Sequence, residues 1–521
     1  LSDFEKFLKE LKKFELRGLD GRFSLKLILA VFPVPSISHQ VVFRPLTQEL
    51  AKRGHEVVVV TPDPAFTKGK TPANFTEIDT HDVSYGLWQD FYKITSTGNG
   101  DLQSQLERGF QILNDLFEVV INIDEVKKLF TQEFDLLIIE ACVRPALTLS
   151  HVFKVPVIQF SSFGPLYFNI EAVGAPTHPL LYPYSVQQRL NNLTYWEKIT
   201  EVWSFYKIIA VFNNFERLEN EMAKRNFGPD IPSMNELMNN VDMLFLNIHP
   251  LWDSNRPVPP NVVYTGGLHQ TPVKELPADL KNYLDSSKNG VIYMSLGTNV
   301  KPSLLPAEKL NVLLRVFSQL PYDVLWKWDK DELPGRTDNI RISKWLPQSD
   351  LLRHPNIKLF ITQGGLQSTD EAITAGVPLL GIPMLGDQWY NVEQYEHHKI
   401  GRKLDIGTLT EDQLREGINT VINDESYRRN VVRLRGLMSD QPQRPLERAV
   451  WWTEHVLRHG GAPHLRAPAA NITWAEYLEL QLVLTLLGVA IAVLVVTAFS
   501  LYKIWKFVAP HLTKHTKVKY S

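Results

Sequence analysis

Residues Trp345–Gln388 read WLPQSDLLRHPNIKLFITQGGLQSTDEAITAGVPLLGIPMLGDQ. A Trp-Leu-Pro-Gln turn leads into a short helical segment, and the apolar run Ile357–Thr362 predicts a buried strand. Gly364-Gly365 then opens a helix, and Val377–Ile382 predicts a second buried strand running to Asp387-Gln388. Strand, glycine turn, helix, strand is half of a doubly wound sheet, and ligands sit where such strands end. A helix starting at Gly365 offers free N–H groups and a positive dipole end, both suited to a pyrophosphate. Gln363, Ser368 and Thr369 add side-chain donors at that point, and Glu371 is an acceptor for ribose hydroxyls. Trp345 presents a flat face for a base, Gln348 an amide to orient it, and Asp387 with Gln388 the polar groups that a hexose needs. In order, these parts fit base, ribose, diphosphate and sugar.

This spacing resembles the donor-binding signature of the UDP-glycosyltransferases, W-x-P-Q, then H/Q-x-G-x-x-S-x-x-E, then D/E-Q. Trp345, Pro347, Gln348, Gly365, Ser368, Glu371, Asp387 and Gln388 fall on it. Gln363 stands where most of that family has His, as in insect-type members. It keeps a neutral donor for phosphate but cannot become cationic. The resemblance implies an α/β chain of GT-B architecture, two Rossmann-like doubly wound domains facing a cleft, with the sugar donor on the C-terminal half and the acceptor on the N-terminal half.

Outward from this stretch, 521 residues are too many for a single core. We expect an atypical, mis-joined segment at 1–24, an acceptor domain at 25–255, a linker at 256–285 and a UDP-sugar domain at 286–440. Closing helices and a juxtamembrane segment follow at 441–480, then a transmembrane helix at 482–502 and a cytosolic tail at 503–521. Residues 1–24 hold Phe4, Phe7, Leu8, Leu11 and Phe14 at helical spacing among Lys and Glu, which predicts a short amphipathic helix and not a signal peptide. A net charge of −2 offers no electrostatic case for nucleic acid. With a single cysteine, Cys142, no internal disulfide can form.

Leu482–Tyr502 is a run of 21 residues without a charge, about 32 Å as a helix, which matches a bilayer core. Lys503, Lys506, Lys514, Lys517 and Lys519 follow with no acidic residue, so the tail is expected in the cytosol and the domains in the lumen. The final Lys-Val-Lys-Tyr-Ser resembles a dilysine retrieval signal of endoplasmic-reticulum membrane proteins. N-x-T sequons at Asn74, Asn192 and Asn471 lie on the expected lumenal side, as for a glycoprotein.

In the first half, Leu25–Phe32 predicts a strand, Pro33–His39 its loop, Gln40–Arg53 a helix and Glu56–Thr61 the next strand; no GxGxxG is present. The resemblance makes His39 the general base that takes the acceptor's proton, a task suited to an imidazole. Its partner is expected at Glu140, closing the strand Phe134–Glu140 where the family has Asp. Glu carries one more methylene, which moves the carboxylate by about 1.5 Å. Asp135 is the weaker alternative, because it opens the strand. Aromatic residues between Ser162 and Phe227 (Phe163, Tyr167, Phe168, Tyr182, Tyr184, Trp196, Trp203, Phe205, Tyr206) suggest an apolar acceptor pocket. In the second domain, Gly290–Met294 predicts a strand entering Ser295-Leu-Gly297-Thr298, a loop small enough to approach a diphosphate.

No sequence cluster indicates a metal, and no cofactor is expected beyond the co-substrate, a UDP-sugar and by insect-type resemblance UDP-glucose. The expected reaction is inverting transfer of a hexose to a hydroxyl of a small lipophilic acceptor, giving a β-glycoside and UDP, in the context of detoxification. Two alternatives stand beside it: a UDP-sugar epimerase or hydrolase of similar fold, and a non-catalytic binder of small ligands. A homo-oligomer is left open.

Overall fold

A computed structural model describes residues 25–517 apart from Lys68 and residues 97–101. The expectations for residues 1–24, and for the last four residues of the retrieval signal, lie outside the described residues.

Among the described residues a first, seven-stranded parallel sheet contains β1 (Leu27–Val31), β2 (Glu56–Thr61), β3 (Phe75–Asp79), β4 (Leu136–Glu140), β5 (Val157–Ser161), β6 (Val241–Leu246) and β7 (Val262–Tyr264). Their spatial order is β3-β2-β1-β4-β5-β6-β7. A second, six-stranded sheet contains β8 (Val291–Ser295), β9 (Asp323–Lys327), β10 (Ile340–Ser343), β11 (Ile357–Thr362), β12 (Leu379–Gly381) and β13 (Gly401–Lys403), in the order β10-β9-β8-β11-β12-β13. All pairings are parallel. Both sheets therefore reverse direction at one place, between β1 and β4 in the first and between β8 and β11 in the second. A crevice opens at the carboxyl ends of the strands where winding reverses.

The strands are apolar because both faces are covered. In β1, Ile28 and Ala30 join one buried cluster, while Leu29 and Val31 join another on the opposite face. The first of these clusters includes Ala449, Val450 and Val456, so the closing helix Pro445–His459 packs against the first sheet's helix Ile37–Lys52. An ion pair from Arg53 to Glu454 (3.1 Å) reinforces that contact. β7 lies within the stretch expected as linker, so the first sheet runs on to Tyr264.

The helix Ile37–Lys52 starts three residues before the expected Gln40, which moves His39 from a loop into the helix's first turn. Gln40 accounts for the early start. Its amide nitrogen donates to the carbonyls of Phe32 and Val34 (3.1 Å each), and its oxygen accepts from the Thr61 hydroxyl (2.9 Å). These bonds satisfy the backbone of a two-proline turn that has few partners of its own.

Residues 471–521 form a separate compact unit. Thr473 caps a short turn by accepting from the backbone of Glu476, and the helix Leu480–Lys517 follows. Leu480–Pro510, 31 residues, is long and apolar enough to cross a membrane, a longer stretch than the expected 482–502.

Candidate active site

A cavity of about 470 Å³ lies between the carboxyl ends of the two sheets. His39 reaches it from the helix after β1, and Glu140 closes β4, so the two stand side by side across the reversal in winding. Nδ1 of His39 is 2.6 Å from Oε1 of Glu140. The other carboxylate oxygen accepts from the Val34 N–H at 3.2 Å, so the acid is fixed at both ends. The Cys142 thiol lies 3.7 Å from Oε1, and the Phe163 ring flanks the imidazole with centroids 5.8 Å apart. With Nδ1 engaged, Nε2 is the ring nitrogen left for a substrate. Asp135 does not compete for this role, because its carboxylate binds Lys26 (2.7 Å) and the Leu27 N–H at the start of β1.

His39, Glu140 and Cys142 offer ligand atoms within 4.8 Å of one another, a cluster of metal-binding type that sequence spacing did not reveal. Burial and the adjacent carboxylate push the Cys142 thiol well above its ordinary range. The sulfur is therefore a protonated, weak donor to Glu140.

The second lobe supplies the polar wall. Gly297, Thr298, Trp345, Gln348, Gln363, Gly365, Ser368, Glu371, Asp387 and Gln388 all line the cavity. Gly297 has φ +75°, and a Cβ there would stand 2.2 Å from the Gln363 amide. That position needs glycine both for its backbone and for the close approach of the β8 and β11 loops. Gln348 accepts from the Tyr293 hydroxyl (2.9 Å) and donates to Ser368 (2.9 Å) and Glu371 (2.7 Å), tying three expected donor residues into one network. Trp345 is 65 % exposed, a face free for stacking.

Three expected donor residues stand behind the wall instead of on it. The Thr369 hydroxyl is buried and bonds the Gly365 carbonyl and Tyr395, because its side of the helix Leu366–Ala375 faces the helix Gln388–His397. Ser295 accepts from the Gly297 N–H (3.3 Å), shaping the loop from beneath. Gly364, at φ +91°, is pressed so close to Val392 that a Cβ would lie 2.5 Å from it. Its carbonyl accepts from Asn391 (2.9 Å), so it locks the turn.

Asp387 and Gln388 are partly committed. The Gln388 oxygen accepts from the N–H groups of Met384 and Leu385 (3.0 and 3.1 Å), leaving its amide nitrogen for a ligand. One Asp387 oxygen accepts from Asn391 (2.9 Å). Burial pushes the Asp387 carboxyl up to about 6, with Asn391 and the nearby His39 pulling it back. Glu371 is likewise raised by burial and partly restored by Gln348.

Lys327 escaped the sequence reading. It closes β9 with its ammonium 3.0 Å from the Gly297 carbonyl and 4.7 Å from the centre of the Trp345 ring. Burial lowers its pKa to about 8. A charged residue ending an apolar strand of the donor lobe was the available signal.

The apolar wall also differs from expectation. Of the nine aromatic residues singled out between Ser162 and Phe227, Phe163 alone lines the cavity. Trp196, Trp203 and Tyr206 are exposed, and Tyr184 and Phe205 pack into the core. The wall is instead built by Trp88, Phe91, Leu106, Phe110 and Leu113, from the helices His81–Ser96 and Leu102–Ile121.

Residues 28–518 match the family model described as UDP-glucoronosyl and UDP-glucosyl transferase. The chain belongs to this family. A relative named ecdysteroid UDP-glucosyltransferase, from Spodoptera littoralis nuclear polyhedrosis virus, is 39 % identical over 91 % of this chain and 95 % of its own length. UDP-glucuronosyltransferase 2B7 of Homo sapiens is 31 % identical over 90 % of this chain and 92 % of its own. The crystal structure of Arabidopsis thaliana UGT89C1 complexed with UDP-L-rhamnose superposes with a TM-score of 0.55 at 15 % identity, covering 84 % of this chain and 99 % of that one. That likeness carries the fold, which is GT-B. As a UDP-glycosyltransferase the chain is an enzyme that uses a UDP-sugar donor.

Proposed function

We propose that the enzyme transfers glucose from UDP-glucose to a hydroxyl of a small lipophilic acceptor, with inversion, giving a β-glycoside and UDP. The observation that carries this reading is the 2.6 Å His39–Glu140 pair, with the buried Glu140 behind the imidazole and His39 on the wall of the cavity that Asp387 also lines. Nε2 of His39 takes the hydroxyl proton as the oxygen attacks the anomeric carbon, and Glu140 stabilises the resulting imidazolium. The bond from that carbon to the diphosphate oxygen breaks on the opposite face. The N–H groups at the start of the helix Leu366–Ala375, the Gln363 amide and the Lys327 ammonium stabilise the departing UDP. Trp345 stacks on the base, Glu371 takes the ribose hydroxyls, and Asp387 with the Gln388 amide holds the hexose. No metal or further cofactor is part of this scheme.

Relatives named for ecdysteroid glucosylation support a glucose donor and a steroid-sized acceptor. An apolar wall of aromatic and leucine side chains suits such a molecule. The apolar helix and the basic tail support a single-pass protein of the endoplasmic reticulum with its domains in the lumen; a small lipophilic acceptor fits a role in detoxification.

The test is a panel of UDP-glucose and UDP-glucuronate against phenolic and steroidal acceptors, read as UDP release and product mass. Acceptor-dependent UDP release with a glucoside product is expected. Release without an acceptor points to a hydrolase, and UDP binding without turnover to a binder; either overturns the proposal.

A further inference from the structure

The closing helix and the turn after it carry three histidines outside the cleft. His455 and His459 are four residues apart on the helix Pro445–His459 and so share a face. Gly460 ends this helix at φ +67°, and the next turn, Pro463–Leu465, brings His464 back over it. That turn is pinned by the Ala462 N–H, which donates to Asp242 at 2.6 Å. The three rings gather there, with centroids 4.5 Å apart for His455 and His459, 5.4 Å for His455 and His464, and 5.9 Å for His459 and His464. Nε2 of His455 lies 3.2 Å from Nε2 of His464.

One of these distances matches an edge of a coordination shell, the 3.2 Å between the His455 and His464 nitrogens. A tetrahedral ion with metal–nitrogen bonds of about 2.0–2.1 Å holds its nitrogens roughly 3.3 Å apart and the ring centres about 5 Å apart. The His455–His464 pair already spans one such edge, and the exposed His459 ring is free to turn toward it. Trp451 stacks on His455 (5.4 Å, 22°) and fixes that ring.

We propose that His455, His459 and His464 form a site for a zinc-type divalent ion, with water completing the shell. Three imidazoles suit Zn²⁺, Ni²⁺ or Cu²⁺ over Mg²⁺ or Ca²⁺, which take oxygen ligands. The ion fastens the last turn of the closing helix to the segment that follows it. Its role is to stabilise that segment, and none of the three histidines lines the catalytic cavity.

The test uses untagged full-length protein in detergent, stripped of metal and titrated with Zn²⁺ by calorimetry. Wild type is expected to bind one ion per chain and to gain thermal stability. His455→Ala and His464→Ala each weaken binding by at least about tenfold, while glycosyl transfer, which reports folding, stays at the wild-type rate. Co²⁺ substitution distinguishes this site from the cleft: d–d bands without a thiolate charge-transfer band are expected, whereas a thiolate band places the ion at Cys142 and overturns the proposal. An unchanged isotherm in the His455→Ala/His464→Ala double variant, or no zinc uptake by folded wild type, also overturns it.

Discussion

Nδ1 of His39 and Oε1 of Glu140 meet at 2.6 Å across 101 residues of sequence. They meet because β1 and β4 are neighbours, paired from Ile28–Leu136 to Val31–Ile139. The longer arm of Glu140 reaches the imidazole with one oxygen and the Val34 N–H with the other. Glu140 is 1 % exposed, and a buried carboxylate without its partner is costly.

Glu140→Gln keeps the shape but removes the charge that stabilises an imidazolium. We expect kcat to fall about 100-fold, with KM for UDP-glucose within about twofold of wild type. Steady-state kinetics with a phenolic acceptor checks this, and a wild-type kcat would place the acid partner elsewhere.

Asp387 gives the donor site a pH signature. Its carboxyl is raised from an ordinary 3.8 to about 6, chiefly by burial. The folded protein therefore holds a proton between about pH 4 and 6 that the unfolded chain releases. This stability is fully present below the unfolded value and is lost as pH rises through about 6. Hexose hydroxyls need the ionised form as acceptor, so KM for UDP-glucose should rise as pH falls below about 6. Asp387→Asn should flatten both profiles, measured as KM and Tm against pH.

Lys327 is a cation only below about pH 8, because burial disfavours its charge. Lys327→Met should weaken UDP binding about tenfold at pH 7. As pH rises through 8, wild-type affinity should converge on that of the variant. Calorimetry with UDP at both pH values is the check, and parallel curves would remove the charge from the explanation.

Asn74 donates its side-chain amide to the carbonyls of Ala51 (2.7 Å) and His55 (2.9 Å). A glycan on that nitrogen would replace one of its two hydrogens and break at least one of these bonds, whereas Asn192 is exposed. Asn74→Ala should cost about 1–2 kcal/mol without changing electrophoretic mobility. Asn192→Gln should remove one glycan, seen as a mobility shift that glycosidase treatment abolishes.

The second sheet was legible because strand β11, the helix after it and their glycines are contiguous in sequence, so local pattern and site coincide. The His39–Glu140 pair was legible only through resemblance, since nothing local joins two residues on separate strands. Thr369 shows where pattern misleads: on a helix one residue after Ser368, it turns about 100° away from the cavity and into the core. Trp88 and Phe110 went unrecognised because an amphipathic helix that lines a cavity has the same periodicity as one that lines a core. Gln40's hold on the Phe32 and Val34 carbonyls, which sets where the helix begins, has no signature in residue type.

The most direct measurement is glucosyl transfer by His39→Ala alongside its affinity for UDP. We expect transfer to fall by at least about 1,000-fold while UDP binds within about twofold of wild type, because the second lobe holds the nucleotide. Turnover at the wild-type rate would contradict the role given to His39, whatever the distance to Glu140.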